Sequence, residues 1–312
     1  MLAVTLLALA ACTSSGDTAK KGGSGGYNYT FAVVTHGAAG DTFWDVVKKG
    51  AEQGAKDEGV KVDYQSDGDP QKQAQLIDAA VNKKVDGLVV SMANPDALQA
   101  SIDKAVKAGI PVITINSGQD KSKAFGAIAH VGQDETIAGR GAGEQLKAAG
   151  VKNILCVIHE AGNVGLEQRC AGAKQTLGGK VTNLQVQISD PAAAQATIKA
   201  KLQQDTSIDG VLALNPAIGA VAITAVGESG SKAKLATFDL NPDVLNAIRD
   251  GKMLFAVDQQ QYVQGYLPIV MLTLLKSNLN TVGGGQPVLT GPGFVTKETA
   301  AKVIDLSKAG TR

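Results

Sequence analysis

Short apolar runs alternate with amphipathic stretches from residue 30 almost to the end of the chain. Residues 31–34, Phe-Ala-Val-Val, are apolar at every position, which predicts a strand buried on both faces, as strands of parallel sheets are. Polar Thr35 and His36 and the glycine-framed loop Gly37-Ala-Ala-Gly40 follow. The next helix carries Val46, Val47, Gly50, Ala51, Gly54 and Ala55 at core-facing spacing. Further strands are predicted over 61–64, 85–91 and 109–115. The helices between them open on Asp69-Pro70 and Asn94-Pro95, a capping residue followed by a first-turn proline. The pattern then restarts. Helices are predicted over 133–149, 164–177 and 191–204, and strands over 151–158, 181–188, 208–215, 235–238 and 254–257. Asn241-Pro242 opens another helix, an amphipathic helix over 263–275 returns to the first half, and a helix over 297–308 closes the chain. Gly283-Gly-Gly285 and Gly291-Pro-Gly293 mark a crossing and a loop.

Alternation of this kind predicts an α/β fold with parallel sheets covered by helices on both faces. Ile208-Asp-Gly-Val-Leu-Ala-Leu-Asn215 echoes Val85-Asp-Gly-Leu-Val-Val-Ser91 in residues and in place, which predicts two doubly wound lobes built alike. The length of 312 residues suits one large or two medium domains. A net charge of +1 without a basic block excludes a nucleic-acid partner, which needs clustered Lys and Arg.

Residues 2–11 form an apolar run too short to span a bilayer, and it ends in Leu9-Ala-Ala-Cys12. That ending resembles the bacterial lipobox. It predicts a signal peptide over 1–12, a lipidated Cys12 and, over 13–28, a Ser-, Gly- and Lys-rich flexible tether. Gly22-Gly-Ser-Gly-Gly26 spells a hydrolase elbow but lacks the strand and helix the elbow requires. The other cysteines, Cys156 and Cys170, are either two buried thiols or a disulfide. Export favours the disulfide.

In doubly wound sheets ligands bind beyond the carboxyl ends of the strands. Here those ends carry Thr35 and His36, Ser91, Asn116 and Ser117, His159 and Glu160, Asn215, and Asp239. Asn215 precedes Pro216 and is equally a helix cap, whereas Asn241-Pro242 leaves Asp239 free for another role, and Asn94-Pro95 does the same for Ser91. Phe43 and Trp44, the only tryptophan, are first-turn core residues or an aromatic wall. Arg169 is a solvated surface residue or a site residue. Asp, Asn, Gln and Arg in concert suit a neutral polyhydroxylated ligand, because each hydroxyl both donates and accepts. No phosphate-cradling loop, dinucleotide fingerprint, metalloprotease helix or paired nucleophile and base appears. His36, His130 and His159 match no metal-ligand spacing. The expectation is a non-enzyme without cofactor or metal.

From about residue 29 to about 300 the chain resembles the periplasmic sugar-binding proteins of ABC transporters, the ribose-binding type with the type I periplasmic binding protein fold. The likeness rests on Asp41-Thr-Phe-Trp44, Val85-Asp-Gly-Leu-Val-Val-Ser91, Gly109-Ile-Pro-Val-Ile-Thr-Ile-Asn116, Arg169-Cys-Ala-Gly172, Phe238-Asp239 and Asp258-Gln-Gln260. It implies a three-segment hinge, with one lobe over 29–130 plus 260–290 and the other over 131–259 plus 291–312. Phe43 and Trp44 would sandwich a sugar ring. Asp41, at a position often occupied by asparagine, would contact a hydroxyl, as would Ser91. Arg169, Asn215, Asp239 and Gln259 would be second-lobe and hinge contacts. Asn116-Ser117 stands where ribose binders carry Asp-Arg, which argues against ribose itself. His36 and the run from Ser91 to Leu98 lean towards relatives that bind other sugars, polyols or autoinducer-2. The resemblance implies an exported, lipid-anchored, monomeric receptor that delivers a small sugar or polyol to a membrane permease. The alternative is a receptor of the same fold that signals to a membrane kinase.

Overall fold

A computed structural model describes residues 27–38 and 41–312. Cys12, the predicted signal peptide and most of the predicted tether lie outside the described residues. The first half runs β1 (Thr30–Thr35), α1 (Thr42–Glu58), β2 (Lys61–Ser66), α2 (Pro70–Asn82), β3 (Gly87–Ser91), α3 (Pro95–Lys107), β4 (Val112–Ile115), a short α4 (Gln119–Ser122) and β5 (Ala129–Gln133). The second half runs α5 (Glu135–Ala148), β6 (Asn153–Ile158), α6 (Val164–Leu177), β7 (Lys180–Gln185), α7 (Pro191–Gln204), β8 (Gly210–Ala213), α8 (Pro216–Ser229), β9 (Lys234–Phe238), α9 (Pro242–Arg249) and β10 (Phe255–Asp258). The chain then supplies α10 (Gln261–Asn278), β11 (Val288–Gly291), β12 (Gly293–Thr296) and α11 (Lys297–Lys308).

These strands form two six-stranded sheets, ordered β11-β5-β4-β3-β1-β2 and β12-β10-β9-β8-β6-β7. The orders are the same when each half is counted from its own first strand, so the echoing sequences form the equivalent strands β3 and β8. Pairing is parallel except where β12 runs antiparallel to β10. The centres of both sheets are buried on both faces, as the uninterrupted apolar runs require. The two doubly wound lobes expected from the alternation are therefore present.

The chain passes between the sheets at Asp134, at Gln259-Gln260 and at Pro292. The first passage differs from the expected boundary after residue 130. That position falls inside β5, whose pairing with β4 and β11 carries it to Gln133. The helix expected from residue 133 begins at Glu135, because Asp134 accepts from the Ile137 N–H and caps it. Gly291-Pro292-Gly293 is a passage between sheets, and Gly283–Gly285 lies in the loop between α10 and β11.

Each lobe packs two helices closely across glycines. A Cβ on Gly265 of α10 would stand 1.9 Å from the Val47 carbonyl oxygen of α1, and one on Gly139 of α5 would stand 2.2 Å from the Arg169 carbonyl oxygen of α6. Both α10 and α5 are the first helix after a passage, so the equivalence of the lobes extends to these contacts. Gly139→Ala is expected to force α6 off α5 and lower stability by about 1–3 kcal/mol, the cost of overpacking; thermal unfolding reads this directly. Cys156 of β6 and Cys170 of α6 are joined by a disulfide with a sequence separation of 14. It anchors the helix that carries Arg169. Cys156→Ala together with Cys170→Ala is expected to cost about 3 kcal/mol in the loop-entropy account, measured by denaturant unfolding.

Candidate functional site

The carboxyl ends of both sheets face one another. Between them lies a small cavity lined by residues of both lobes. Three helices begin at its wall, and a capping side chain at each has a second partner. Asp41 Oδ1 accepts from Phe43 N–H at the start of α1 and from Asn215 Nδ2 across the cleft, at 3.1 and 3.0 Å. Asn215 Oδ1 in turn caps α8 through Ala217 N–H, so the cap and the site readings of Asn215 both hold. Asn163 Oδ1 caps α6 through Gly165 N–H and accepts from Ser117 Oγ of the opposite lobe. With Val164 N–H donating to the Ala93 carbonyl and Gln168 Nε2 to Asp120 Oδ2, these contacts hold the rims together in a closed conformation.

Asn116 and Asp239 occupy matching places, just past β4 and β9. Both take the left-handed backbone conformation, φ 60° and 66°, which Asn and Asp tolerate better than most residues. Each donates its backbone N–H to the neighbouring strand, Asn116 to Val131 O and Asp239 to Val257 O. Gln259, in the second passage, links them: its Oε1 accepts from Asn116 Nδ2 and its Nε2 donates to Asp239 Oδ1, at 3.0 and 2.9 Å.

Arg169 is 3% exposed and almost fully committed. Its Nε and Nη2 form a bidentate pair with Glu135, at 2.6 and 2.9 Å, and Nη1 donates to the Leu214 carbonyl, with Asp239 Oδ2 at 3.9 Å. The guanidinium also lies over the Phe238 ring. Burial opposes its charge, but the Glu135 carboxylate, by charge and by hydrogen bonds, more than offsets this and holds the group above its ordinary range. The surface reading of Arg169 is thereby excluded. Phe43 and Trp44 are both core and wall: they join the apolar cluster around Val33 and Val47 and also line the cavity.

Nine of the ten residues read from the sequence line this cavity: His36, Asp41, Phe43, Trp44, Asn116, Arg169, Asn215, Asp239 and Gln259. The tenth does not. Ser91 is fully buried behind His36, and its hydroxyl is bonded to the His36 backbone N–H and to Nδ1, at 3.0 and 2.7 Å. The expected direct contact from Ser91 is therefore corrected. His130 also lies off the wall, bonded through Nδ1 to Thr114 Oγ1. His159 and Glu160, read as strand-end residues though not among the ten, also line the cavity, and Asn163 does so unforeseen. Asn163 carried a readable signal, since it caps the first helix after β6 as Asp41 caps the first after β1.

Burial governs the titration of the wall. It pushes Asp41 up to about 6, and it pushes Glu160 and Asp239 up to about 7, in Asp239 against the opposing pull of Arg169. Burial, with Arg169 nearby, lowers His36 and His159 to about 3, so both imidazoles are neutral. A carboxyl with a raised pKa in the closed form holds a proton that the open form has released, so closing an empty site takes up protons. That contribution is full below the open-form values near 4 and is lost as pH rises through about 7. Between pH 6 and 7 the ligand-free closed form is expected to lose about fivefold against the open form for each of Glu160 and Asp239, a change measurable as a larger radius of gyration by small-angle scattering.

This geometry, two like lobes closed over one cavity, is that of a two-lobed solute receptor. Residues 31–278 match the periplasmic binding protein domain family, and the chain belongs to it. A carbohydrate transporter from Acidothermus cellulolyticus 11B, solved in complex with myo-inositol, superposes with a TM-score of 0.90 at 46% identity, covering 91% of this chain and 100% of that one. The ribose import binding protein of Bacillus subtilis is 27% identical over 277 residues, 86% of this chain and 88% of its own. The fructose import binding protein of Bifidobacterium longum is 27% identical over 269 residues, 82% and 81% of the two chains.

Proposed function

We propose that the protein is the solute-binding component of an ABC importer. It captures one neutral cyclic polyol or monosaccharide between its lobes and presents the closed form to a membrane permease. The observation that carries this is the wall itself. Its one guanidinium is engaged by Glu135, while Asp41, Glu160 and Asp239 offer carboxyl oxygens beside the Asn and Gln amides. Such a wall rejects an anion and complements hydroxyls that both donate and accept. The Acidothermus protein, crystallised with myo-inositol, favours an inositol-like ring as the ligand. Phe43 and Trp44 would cover the ring's C–H face. The protein acts outside the cytoplasm as a non-enzymatic monomer, held at the membrane through a lipid on Cys12.

A thermal-shift screen of inositols, pentoses, hexoses and linear polyols tests the reading. A ligand present at a hundred times its Kd adds about 2.7 kcal/mol to the folded state. No shift with any of them, set against a shift with an amino acid or an anion, refutes it. Trp44 is the only tryptophan, and its emission is expected to change on saturation with a ligand verified by calorimetry. A flat titration would take Trp44 off the site.

A further inference from the structure

His36 follows β1 and Ser91 ends β3, adjacent strands of the first sheet. Both side chains are buried. Ser91 Oγ lies 3.0 Å from the His36 backbone N and 2.7 Å from His36 Nδ1. The backbone N–H can only donate, so it occupies a lone pair of Ser91 Oγ. The hydroxyl has a single proton, and among the described residues Nδ1 is its one acceptor within hydrogen-bond distance. If Nδ1 carried a hydrogen, that hydroxyl proton would be stranded in a fully buried place, a costly arrangement. The favoured state has Ser91 donating to Nδ1, which leaves the ring hydrogen on Nε2.

Nε2 is on the cleft side. Facing it from the second lobe are Asn163 and Glu160. Asn163 cannot turn to accept, because its Oδ1 is held by the Gly165 backbone N–H, which can only donate. Its Nδ2 therefore points outward, 2.8 Å from Glu160 Oε2 and 3.4 Å from His36 Nε2. With the hydrogen on Nε2, the two nitrogens are both donors and cannot bond one another, and Glu160 Oε2, at 3.8 Å from Nε2, is too far for a direct bond. An oxygen placed between can take the Nε2 hydrogen and give its own to Glu160. The imidazole is neutral, held so by burial and by Arg169, and it meets the edge of Trp44 at a centroid distance of 4.6 Å.

We propose that Ser91 is a positioning residue. It fixes His36 as the Nε2–H form, and His36 then donates to a ligand hydroxyl whose own proton goes to Glu160, bridging the two lobes. The ligand half of this rests on the polyol reading above; the Ser91 half does not. Where Glu160 is ionised, above about pH 7, this makes the selected feature a free hydroxyl at that point of the ring, since an ether oxygen cannot donate to the carboxylate and a phosphate would be repelled by it.

The test reads the ring directly. Two-bond proton–nitrogen spectra of uniformly nitrogen-15-labelled, ligand-free protein at pH 7, with His36 assigned through His36→Gln, are expected to show the Nε2–H form. Ser91→Ala is expected to give a mixture or the Nδ1–H form, and Ser91→Thr, which keeps the hydroxyl, to restore the wild-type pattern. Thermal unfolding checks that each variant is folded. In calorimetry with myo-inositol, Ser91→Ala is expected to bind about tenfold more weakly, the scale of one hydrogen bond, although Ser91 touches no part of the cavity. Ser91→Thr should lie within a few-fold of wild type. A wild-type His36 in the Nδ1–H or imidazolium form overturns the proposal even if neither variant folds. An unchanged tautomer in Ser91→Ala overturns it as well. A wild-type protein that binds no polyol or sugar removes the ligand half together with the proposed function, and the spectrum alone then decides the Ser91 half.

Discussion

Glu135→Ala is expected to unfold roughly 10 °C below the wild type. Arg169 is then buried without its bidentate partner, and breaking one side of a buried ion pair costs about 3–5 kcal/mol, each worth a few degrees in a chain of this size. Asp239 cannot take over the role, since its Oδ2 lies 3.9 Å from Nη1 and its carboxyl is pushed up to about 7. Gln133 donates to Glu135 Oε2 as well, so the loss reaches the first passage between the lobes. The double variant Glu135→Leu with Arg169→Met is expected to recover most of the melting temperature, because an apolar pair of similar volume avoids the buried charge. It should still bind ligand poorly, because Arg169 lines the cavity. A melting temperature for Glu135→Ala within about 2 °C of wild type would show that the pair contributes little.

Asp239→Ala is expected to lose a hundredfold or more in affinity, about 3 kcal/mol by calorimetry. Bonds to a carboxylate are worth about 1.5–3 kcal/mol each, and the side chain is placed to receive more than one ligand hydroxyl. Oδ1 already accepts from Gln259, while Oδ2 has only the distant guanidinium. The backbone complicates the alanine variant. At φ 66° alanine is strained where aspartate and asparagine are tolerated. Asp239→Asn separates the two effects: it should keep the melting temperature and still lose most of the affinity. Equal affinity in both variants and wild type would remove Asp239 from the site.

The sequence discloses the fold through features that depend on neighbours a few residues apart. Continuous apolar runs mark β1, β3 and β4, Asp-Pro and Asn-Pro pairs mark helix starts, and β3 and β8 repeat one another. β5 was missed because Ala-His-Val-Gly-Gln has no apolar run. Its His130 is buried through Thr114, 16 residues away, a partner that only the folded chain brings near. Much of the cavity was legible because polar residues at strand ends have one place to go. Ser91 obeys that rule in position and breaks it in direction: the hydroxyl turns sideways to His36, which periodicity cannot reveal in a strand buried on both faces. Glu135 was invisible for another reason. An acid in the first turn of a helix ordinarily favours the dipole from the surface, and only its pairing with Arg169, 34 residues away, shows otherwise.

The order of the strands has a consequence for biosynthesis. Neither sheet is complete until the final stretch of chain exists, since β11 and α10 close the first and β12 and α11 close the second. Until Gln261–Asn278 emerges, the glycine-lined face of α1 has nothing to pack against. A nascent chain of this design stays loose through most of its synthesis. That delay suits export in an unfolded state to the extracytoplasmic setting of the family.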